Sequence, residues 1–134
     1  LGYAYVSPFK ERAAYSWAVE TSIYVDENVK HKGVGRKLHE ALETVLKEQG
    51  ILNMEACIGY PEEEDGYLDK NSARFHAHMG YRMVGEFKKC GYKFDRWYNM
   101  VWMEYIIGEH QAHMTAPESF PQIRDRLKEK YGLE

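Results

Sequence analysis

The apolar positions change period along the chain, and each change marks an element. Tyr3, Ala4, Tyr5 and Val6 form a short aromatic run closed by Ser7-Pro8, which predicts a strand and a turn. Lys10, Glu11 and Arg12 follow as a polar, basic loop. Residues 17–25 are rich in Val, Ile, Thr and aromatic side chains and predict a longer strand. Alternation sets Ala18, Glu20, Ser22 and Tyr24 on one of its faces and Val19, Thr21, Ile23 and Val25 on the other. After the turn Lys30-His31-Lys32-Gly33-Val34-Gly35 the period becomes helical: Val34, Leu38, Leu42, Val45 and Leu46 recur three and four apart, and Gly50 is placed to cap the helix. Residues 52–58 predict a third strand, ending before Gly59-Tyr60-Pro61. Glu62-Glu63-Glu64-Asp65-Gly66 reads as a solvated loop, because burying adjacent carboxylates is too costly. A second helix is expected over residues 71–79, closed by Gly80. Two strands, 81–88 and 97–105, then flank a turn at Cys90-Gly91. Beyond Gly108, Pro117 and Pro121 precede a polar helix at about residues 122–131, in a tail that reads as mobile.

The alternation of strands and helices, without repeats or low-complexity linkers, makes this an α/β chain. Its 134 residues suit one domain with a real core. With 44% hydrophobic and 29% charged residues the chain is not of the disordered class. A net charge of −3 offers no general attraction to nucleic acid or anionic membrane, so neither is an expected partner. Cys57 and Cys90 stand 33 residues apart with no CxxC, which excludes a zinc ribbon and favours reduced thiols in a cytoplasmic protein. No signal peptide is visible. His76 and His78 are two apart on the second helix and point about 200° apart, so they cannot share an ion. Glu109, His110 and His113 lie in the tail, and no metal is expected.

A strand, a turn bearing Gly33 and Gly35, and a helix in succession form a layout that binds phosphate. The first N–H groups of a helix lack internal partners and sit at the positive end of its dipole. Lys30, His31, Lys32, Arg36 and Lys37 add positive charge. The Walker A loop is excluded, since no Lys-Ser or Lys-Thr follows Gly35. The dinucleotide fingerprint is excluded too, since its third glycine is absent.

Lys30-x-x-Gly33-x-Gly35 resembles the acyl-CoA pyrophosphate loop of the GNAT superfamily of N-acetyltransferases, with Lys30 keeping the charge of the loop's first position. The likeness extends over roughly residues 1–106. It is nearest to the phosphinothricin N-acetyltransferase group. The blocks that carry it are Gly2-Tyr3-Ala4-Tyr5, Pro8-Phe9-Lys10-x-Arg12, Tyr15-x-Trp17, Glu20-Thr21-Ser22-Ile23-Tyr24-Val25, His76-x-x-x-Gly80-Tyr81 and Gly91-Tyr92-Lys93-Phe94-x-Arg96-Trp97. The resemblance implies the GNAT fold, α/β (α+β), with a mixed central β-sheet flanked by helices. It further implies a strand and one or two helices ahead of residue 1 that are missing from this chain. Residues 1–107 are then the acetyltransferase domain and 108–134 a C-terminal extension with a polar helix.

The implied reaction is transfer of an acetyl group from acetyl-CoA to the amino group of a small anionic amino acid of the phosphinothricin, methionine sulfone or methionine sulfoximine type. Such an amine must lose a proton, the thioester oxygen needs donors as it becomes negative, and the thiolate benefits from an acid. The resemblance implies Glu20 as general base and His76 as thiolate acid or proton relay. For the cofactor it implies His31, Lys32, Gly33, Val34, Gly35 and Arg36 at the pyrophosphate. Backbone groups of Ile23, Tyr24 and Val25 serve the oxyanion and the pantetheine arm, with Asn71 and Ser72 facing that arm. Asp69 stands where the family has its Asn, so Asp69 and Asn71 compete for that contact. The resemblance implies an anion pocket at Lys10, Arg12 and Tyr15, closed by Lys93, Arg96 and Trp97, in which a guanidinium can grip a carboxylate or phosphinate in two places. A homodimer is implied as well. Direct amine attack is expected, because neither cysteine has an activating base near it in sequence. Two other functions stay open: a non-catalytic acyl-CoA sensor, and an N-acetyltransferase for proteins or peptides, on whose side the acidic run at residues 62–65 would stand.

Overall fold

A computed structural model of the chain describes residues 2–25, 33–64 and 70–132. Strand β1 (Gly2–Pro8) leads through a short 3-10 turn (Ala13–Tyr15) to β2 (Ala18–Val25). Helix α1 (Val34–Gln49), β3 (Asn53–Tyr60), α2 (Asn71–Met79), β4 (Arg82–Lys93), β5 (Arg96–Ile106) and α3 (Phe120–Tyr131) follow. The strands form one mixed five-stranded sheet, hydrogen-bonded in the order β1-β2-β3-β5-β4. Contacts divide the chain into two compact units, Leu1–Met54 with Ile106–Glu134, and Glu55–Tyr105.

In the first unit β1 and β2 pair antiparallel, with Tyr3 opposite Tyr24, Tyr5 opposite Ser22 and Ser7 opposite Glu20. Val19 and Thr21 turn into the core, as alternation requires. Helix α1 ends where the glycine cap was expected. Gly50 has φ 89°, and its N–H returns to the carbonyls of Leu46 and Lys47. Leu46 is buried, and so is His39, which the apolar stripe does not reveal.

The tail beyond Gly108 corrects the expectation of mobility. Ser119 and Gln122 form a capping box at the start of α3, and Ile123 and Leu127 are fully buried. Trp17 Nε1 donates to the carbonyl of Thr115 at 3.0 Å, and His110 Nε2 lies 2.7 Å from Asn53 Oδ1. Two apolar residues four apart suffice to anchor an otherwise polar helix.

In the second unit Ala56, Ile58, Ala73, Tyr81, Val101 and Met103 build the core. The hairpin turn of β4 and β5 is not at Cys90-Gly91. Lys93 pairs with Arg96, so the two-residue loop is Phe94-Asp95, with φ 53° and 59° at those residues. Positive φ at both positions matches the twist of the strands, even though neither residue is glycine. Cys90 instead lies in a bulge that ends at Gly91: Phe87 pairs with Met100 and Gly91 with Tyr98, leaving two extra residues on β4. All twelve residues of β4, an edge strand, are exposed.

Glu62, Glu63 and Glu64 are exposed as expected, while Asp65 lies outside the described residues, and two of the three described carboxylates are engaged. Glu64 accepts from Arg74 at 2.9 Å and from the Lys70 N–H at 3.2 Å. Glu62 accepts from Asn99 at 3.3 Å. Asp69 lies outside the described residues, so its competition with Asn71 is not addressed by the structure.

Candidate active site

Glu20 stands in the middle of β2, on the face opposite to buried Val19 and Thr21. It is half-buried and shares its face with half-buried Ser22 and exposed Tyr24. Because directly paired residues lie on one face, β1 adds Ser7 opposite Glu20, then Tyr5 and Tyr3 along the strand. The three tyrosines form a cluster, with ring centroids 5.1 Å apart for Tyr3 and Tyr24, 6.2 Å for Tyr3 and Tyr5, and 6.5 Å for Tyr5 and Tyr24. Tyr5 raises the Tyr24 hydroxyl above the usual phenol range, helped by burial and by Tyr3, so Tyr24 is a neutral donor at pH 7. The strip thus runs from a carboxylate to an aromatic end. Sequence reasoning placed Glu20 and Tyr24 in the site but not Tyr3 or Tyr5. The alternation of β1 was legible, whereas its register against β2 was not.

In the same unit the loop between β1 and β2 is closed by Phe9 N–H donating to Ala18 O at 3.3 Å, and Tyr15 N–H to Arg12 O at 2.9 Å. Phe9, Lys10, Glu11, Arg12 and Tyr15 line an open depression of about 510 Å³. Tyr15 meets Phe9 edge-on at 6.5 Å, and Lys10 Nζ lies 5.2 Å from the Phe9 ring. Lys10 and Arg12 are exposed, and among the described residues neither makes an ion pair. Two cations beside an aromatic wall are suited to a small anion.

The glycine turn is described from Gly33 onward, so His31 and Lys32 lie outside the described residues. Gly33 is the N-cap of α1 at φ 78°, a conformation that glycine adopts without strain. Among the described residues nothing lies within 4 Å of where its Cβ would be. Among the described residues no side chain caps the helix, and its first turn holds no acidic residue. Val34 and Gly35 are half-buried, and exposed Arg36 lies 3.9 Å from Glu40. An uncapped helix start behind an open glycine fits a phosphate group. Ile23 is half-buried at the end of β2, and Val25 pairs with Gly2.

The second unit holds His76, Asn71, Ser72 and Lys93. His76 is only 5% exposed on α2. Its Nδ1 is 2.7 Å from the Ser72 carbonyl, and a carbonyl can only accept, so Nδ1 carries the proton. Tyr81 meets the ring edge-on at 4.9 Å, and Phe75 at 5.4 Å. Burial lowers its pKa below 6.5, against the opposing Ser72 bond, so the ring is neutral near pH 7 with Nε2 as its acceptor. Gly80 is held to glycine twice over, by φ 110° and by the Tyr105 ring 3.1 Å from its would-be Cβ. Asn71 Oδ1 accepts from Arg74 at 3.1 Å, and Ser72 is exposed. Lys93 is exposed with Nζ 5.0 Å from the Phe94 ring. Exposed His78 points away from buried His76. Among the described residues neither cysteine forms a disulfide.

This geometry meets an independent line of comparison. Residues 1–102 match the acetyltransferase (GNAT) domain family, and the chain belongs to that family. It is similar to a phosphinothricin N-acetyltransferase of Streptomyces coelicolor, 36% identical over 104 residues, covering 78% of this chain and 57% of that protein. It is 31% identical to an L-methionine sulfoximine/L-methionine sulfone acetyltransferase of Pseudomonas aeruginosa, over 78% of this chain and 56% of the other. A solved structure of a phosphinothricin acetyltransferase from Sinorhizobium meliloti in complex with AcCoA superimposes with a TM-score of 0.73. It is 32% identical and covers 90% of this chain and 61% of that one. The chain therefore spans little more than half the length of these relatives.

Proposed function

We propose that the protein transfers an acetyl group from acetyl-CoA to the amino group of a small anionic amino acid of the phosphinothricin or methionine sulfone type. The observation that carries this reading is the first unit's own arrangement. A carboxylate on an open strand face, a depression with two cations that make no ion pair among the described residues, and a glycine-led helix start that no described side chain caps all belong to it. The relatives named above act on substrates of this kind by their names, which supports the same class here.

Acetyl-CoA supplies the activated acetyl group, with Gly33, Val34, Gly35 and Arg36 holding its pyrophosphate and Asn71 and Ser72 its arm. Lys10 and Arg12 hold the acid group of the amino acid, beside Tyr15, and Lys93 assists. Glu20 takes the ammonium proton, directly or through water. The freed lone pair attacks the thioester carbon, the carbon–sulfur bond breaks, and backbone N–H groups of Ile23 to Val25 meet the negative charge on oxygen. His76 enters as a proton relay rather than as a preformed acid. Its neutral ring accepts at Nε2 the proton that the attacking nitrogen sheds as it becomes an amide nitrogen, and then delivers that proton to the departing thiolate.

The peptide-acetyltransferase reading loses its main support, since Glu62 and Glu64 are tied to Asn99, Arg74 and Lys70 instead of forming a free acidic groove. The sensor reading has no use for Glu20. A homodimer in the cytoplasm completes the proposal; among the described residues no helix is long and apolar enough to cross a membrane. The test is thiol release from acetyl-CoA with phosphinothricin, methionine sulfone, methionine sulfoximine, the proteinogenic amino acids and a lysine peptide. Turnover confined to one anionic amino acid is expected. Turnover on the peptide alone would overturn the anion pocket, and acetyl-CoA binding without turnover on any of them would move the reading to a sensor.

A further inference from the structure

Helix α1 ends in four carbonyls that no turn of its own can satisfy. Leu46 O accepts from Ile51 N–H at 3.0 Å and Lys47 O from Gly50 N–H at 3.1 Å. The last two are satisfied by the C-terminal extension. Gln49 O accepts from Glu118 N–H at 2.8 Å, and Glu48 O from Arg126 Nη2 at 3.1 Å. The same Arg126 nitrogen lies 3.1 Å from Glu118 Oε1, and Lys130 Nζ lies 2.7 Å from Glu48 Oε1. Gln49 Nε2 answers Glu118 by donating to its carbonyl at 3.1 Å. Ile123 and Leu127 are buried beneath this polar lock. All of these residues lie in one compact unit, and the extension lies beyond residue 102, where the family match ends.

We propose that Arg126 is a positioning residue for the acyl-CoA site, acting through α1 from the end opposite to the glycine turn. This rests on the acetyl-transfer reading above. The argument is one of leverage. Sixteen helical residues make a rod about 24 Å long, so a tilt of about 5° at one end carries the other by about 2 Å. Displacements of that size are large against the tolerance of a phosphate cradle built from backbone N–H groups. The extension closes the C-terminal end of the rod by donating the Glu118 N–H and the ion-paired Arg126 guanidinium to its last two carbonyls, which fixes the direction in which Gly33 and the first turn point. Arginine suits the task because one planar fork reaches both a carbonyl and a carboxylate.

The experiment titrates coenzyme A into the wild-type chain, Arg126→Met and Val101→Ala by calorimetry, with amide exchange followed at Lys37. The Lys37 N–H makes the first bond of α1, to Gly33 O at 3.1 Å. Val101 is buried in the other unit and controls for general destabilisation. Arg126→Met is expected to weaken coenzyme A binding roughly tenfold, the scale of one hydrogen bond to a charged group. Lys37 exchange should quicken, and the KM for the amino acid should stay unchanged. Val101→Ala should lower the melting temperature without moving the dissociation constant. Binding within twofold of wild type in Arg126→Met, or equal weakening in Val101→Ala, overturns the proposal. If the wild-type chain does not bind coenzyme A, the acetyl-transfer reading fails. Lys37 exchange then judges the brace by itself, and an unchanged rate overturns it.

Discussion

Glu20 stands on an open strand face among Ser7, Ser22 and the tyrosine cluster, half in water. His76 is nearly sealed inside α2, pressed by Phe75 and Tyr81, with one ring nitrogen committed to Ser72. A base that must take a proton from an ammonium group arriving from solvent benefits from access to it. A relay whose protonation must not drift benefits from burial, which keeps the ring neutral, and from a fixed tautomer, which leaves a single nitrogen to exchange the proton. The two settings suit the different jobs proposed for the two groups. They also predict different responses to substitution, because only one of the two is woven into packing.

The widest gap should come from Glu20→Gln. Losing a general base lowers kcat by about 10²- to 10⁴-fold, while an open-face substitution changes stability by less than about 0.5 kcal/mol. Steady-state kinetics and chemical denaturation of the same preparation check both halves. Full turnover in this variant would remove the base from the mechanism. His76→Leu comes next, with an expected loss of about 10²-fold in kcat. Its stability should be close to wild type, since the leucine fills the apolar pocket and leaves no buried polar group unpaired. A collapse in stability without a selective loss in kcat would make His76 a packing residue.

A third experiment asks whether burial of satisfied polar groups is general in the second unit. Asn99 is 2% exposed, accepts from the Lys89 N–H at 2.8 Å and donates to Glu86 at 2.8 Å and Glu62 at 3.3 Å. Lys89, at φ 48°, is the strained residue of the β4 bulge, so Asn99 replaces the ladder bonds that the bulge removes. Asn99→Ala should cost about 1–3 kcal/mol in denaturant unfolding, the penalty for orphaning a buried donor. Asn99→Asp should cost as much, because it sets a third carboxylate beside Glu62 and Glu86. Equal stability in both variants and wild type would mean that the bulge holds without this side chain.

What the sequence discloses follows the same division between local and long-range order. The stripe Val34, Leu38, Leu42, Val45 and Leu46 with Gly50, and the span Asn71–Met79 with Gly80, are legible because period and cap are local. The loop Phe94-Asp95 is not, because its positive φ values are imposed by strand twist on residues that do not advertise them, while Gly91 draws attention to a bulge. The docking of α3 is hidden for another reason. It depends on Arg126 and Lys130 finding Glu48, 78 and 82 residues away, and no local pattern encodes that. Glu20 is visible in the sequence as a charge within an otherwise apolar and β-branched strand, whereas Lys10 and Arg12 read as an ordinary basic loop and take on a role only through the resemblance. The tyrosines at residues 3 and 5 become face-mates of Glu20 only once the β1–β2 register is known.

The smallest effect is a pH dependence, and its sign tests the buried setting. Burial, opposed by the Ser72 bond, holds the folded-state pKa of His76 below its ordinary 6.5. Between 6.5 and that lower value the unfolded chain binds a proton that the folded chain refuses. Stability from this group is therefore intact above about pH 6.5 and falls as the pH drops through the window, by no more than about 1.4 kcal/mol per unit. His76→Leu has no such proton to bind, so the difference in unfolding free energy between variant and wild type should grow in the variant's favour from pH 7.5 to pH 5.5. Taking the difference cancels the other five histidines, whose protons are common to both chains. A wild-type curve parallel to that of His76→Leu would mean that the ring protonates as readily in the folded chain as in the unfolded one. A ring so easily protonated would be charged as often as it is neutral near pH 6.5, and the relay would give way to a direct acid.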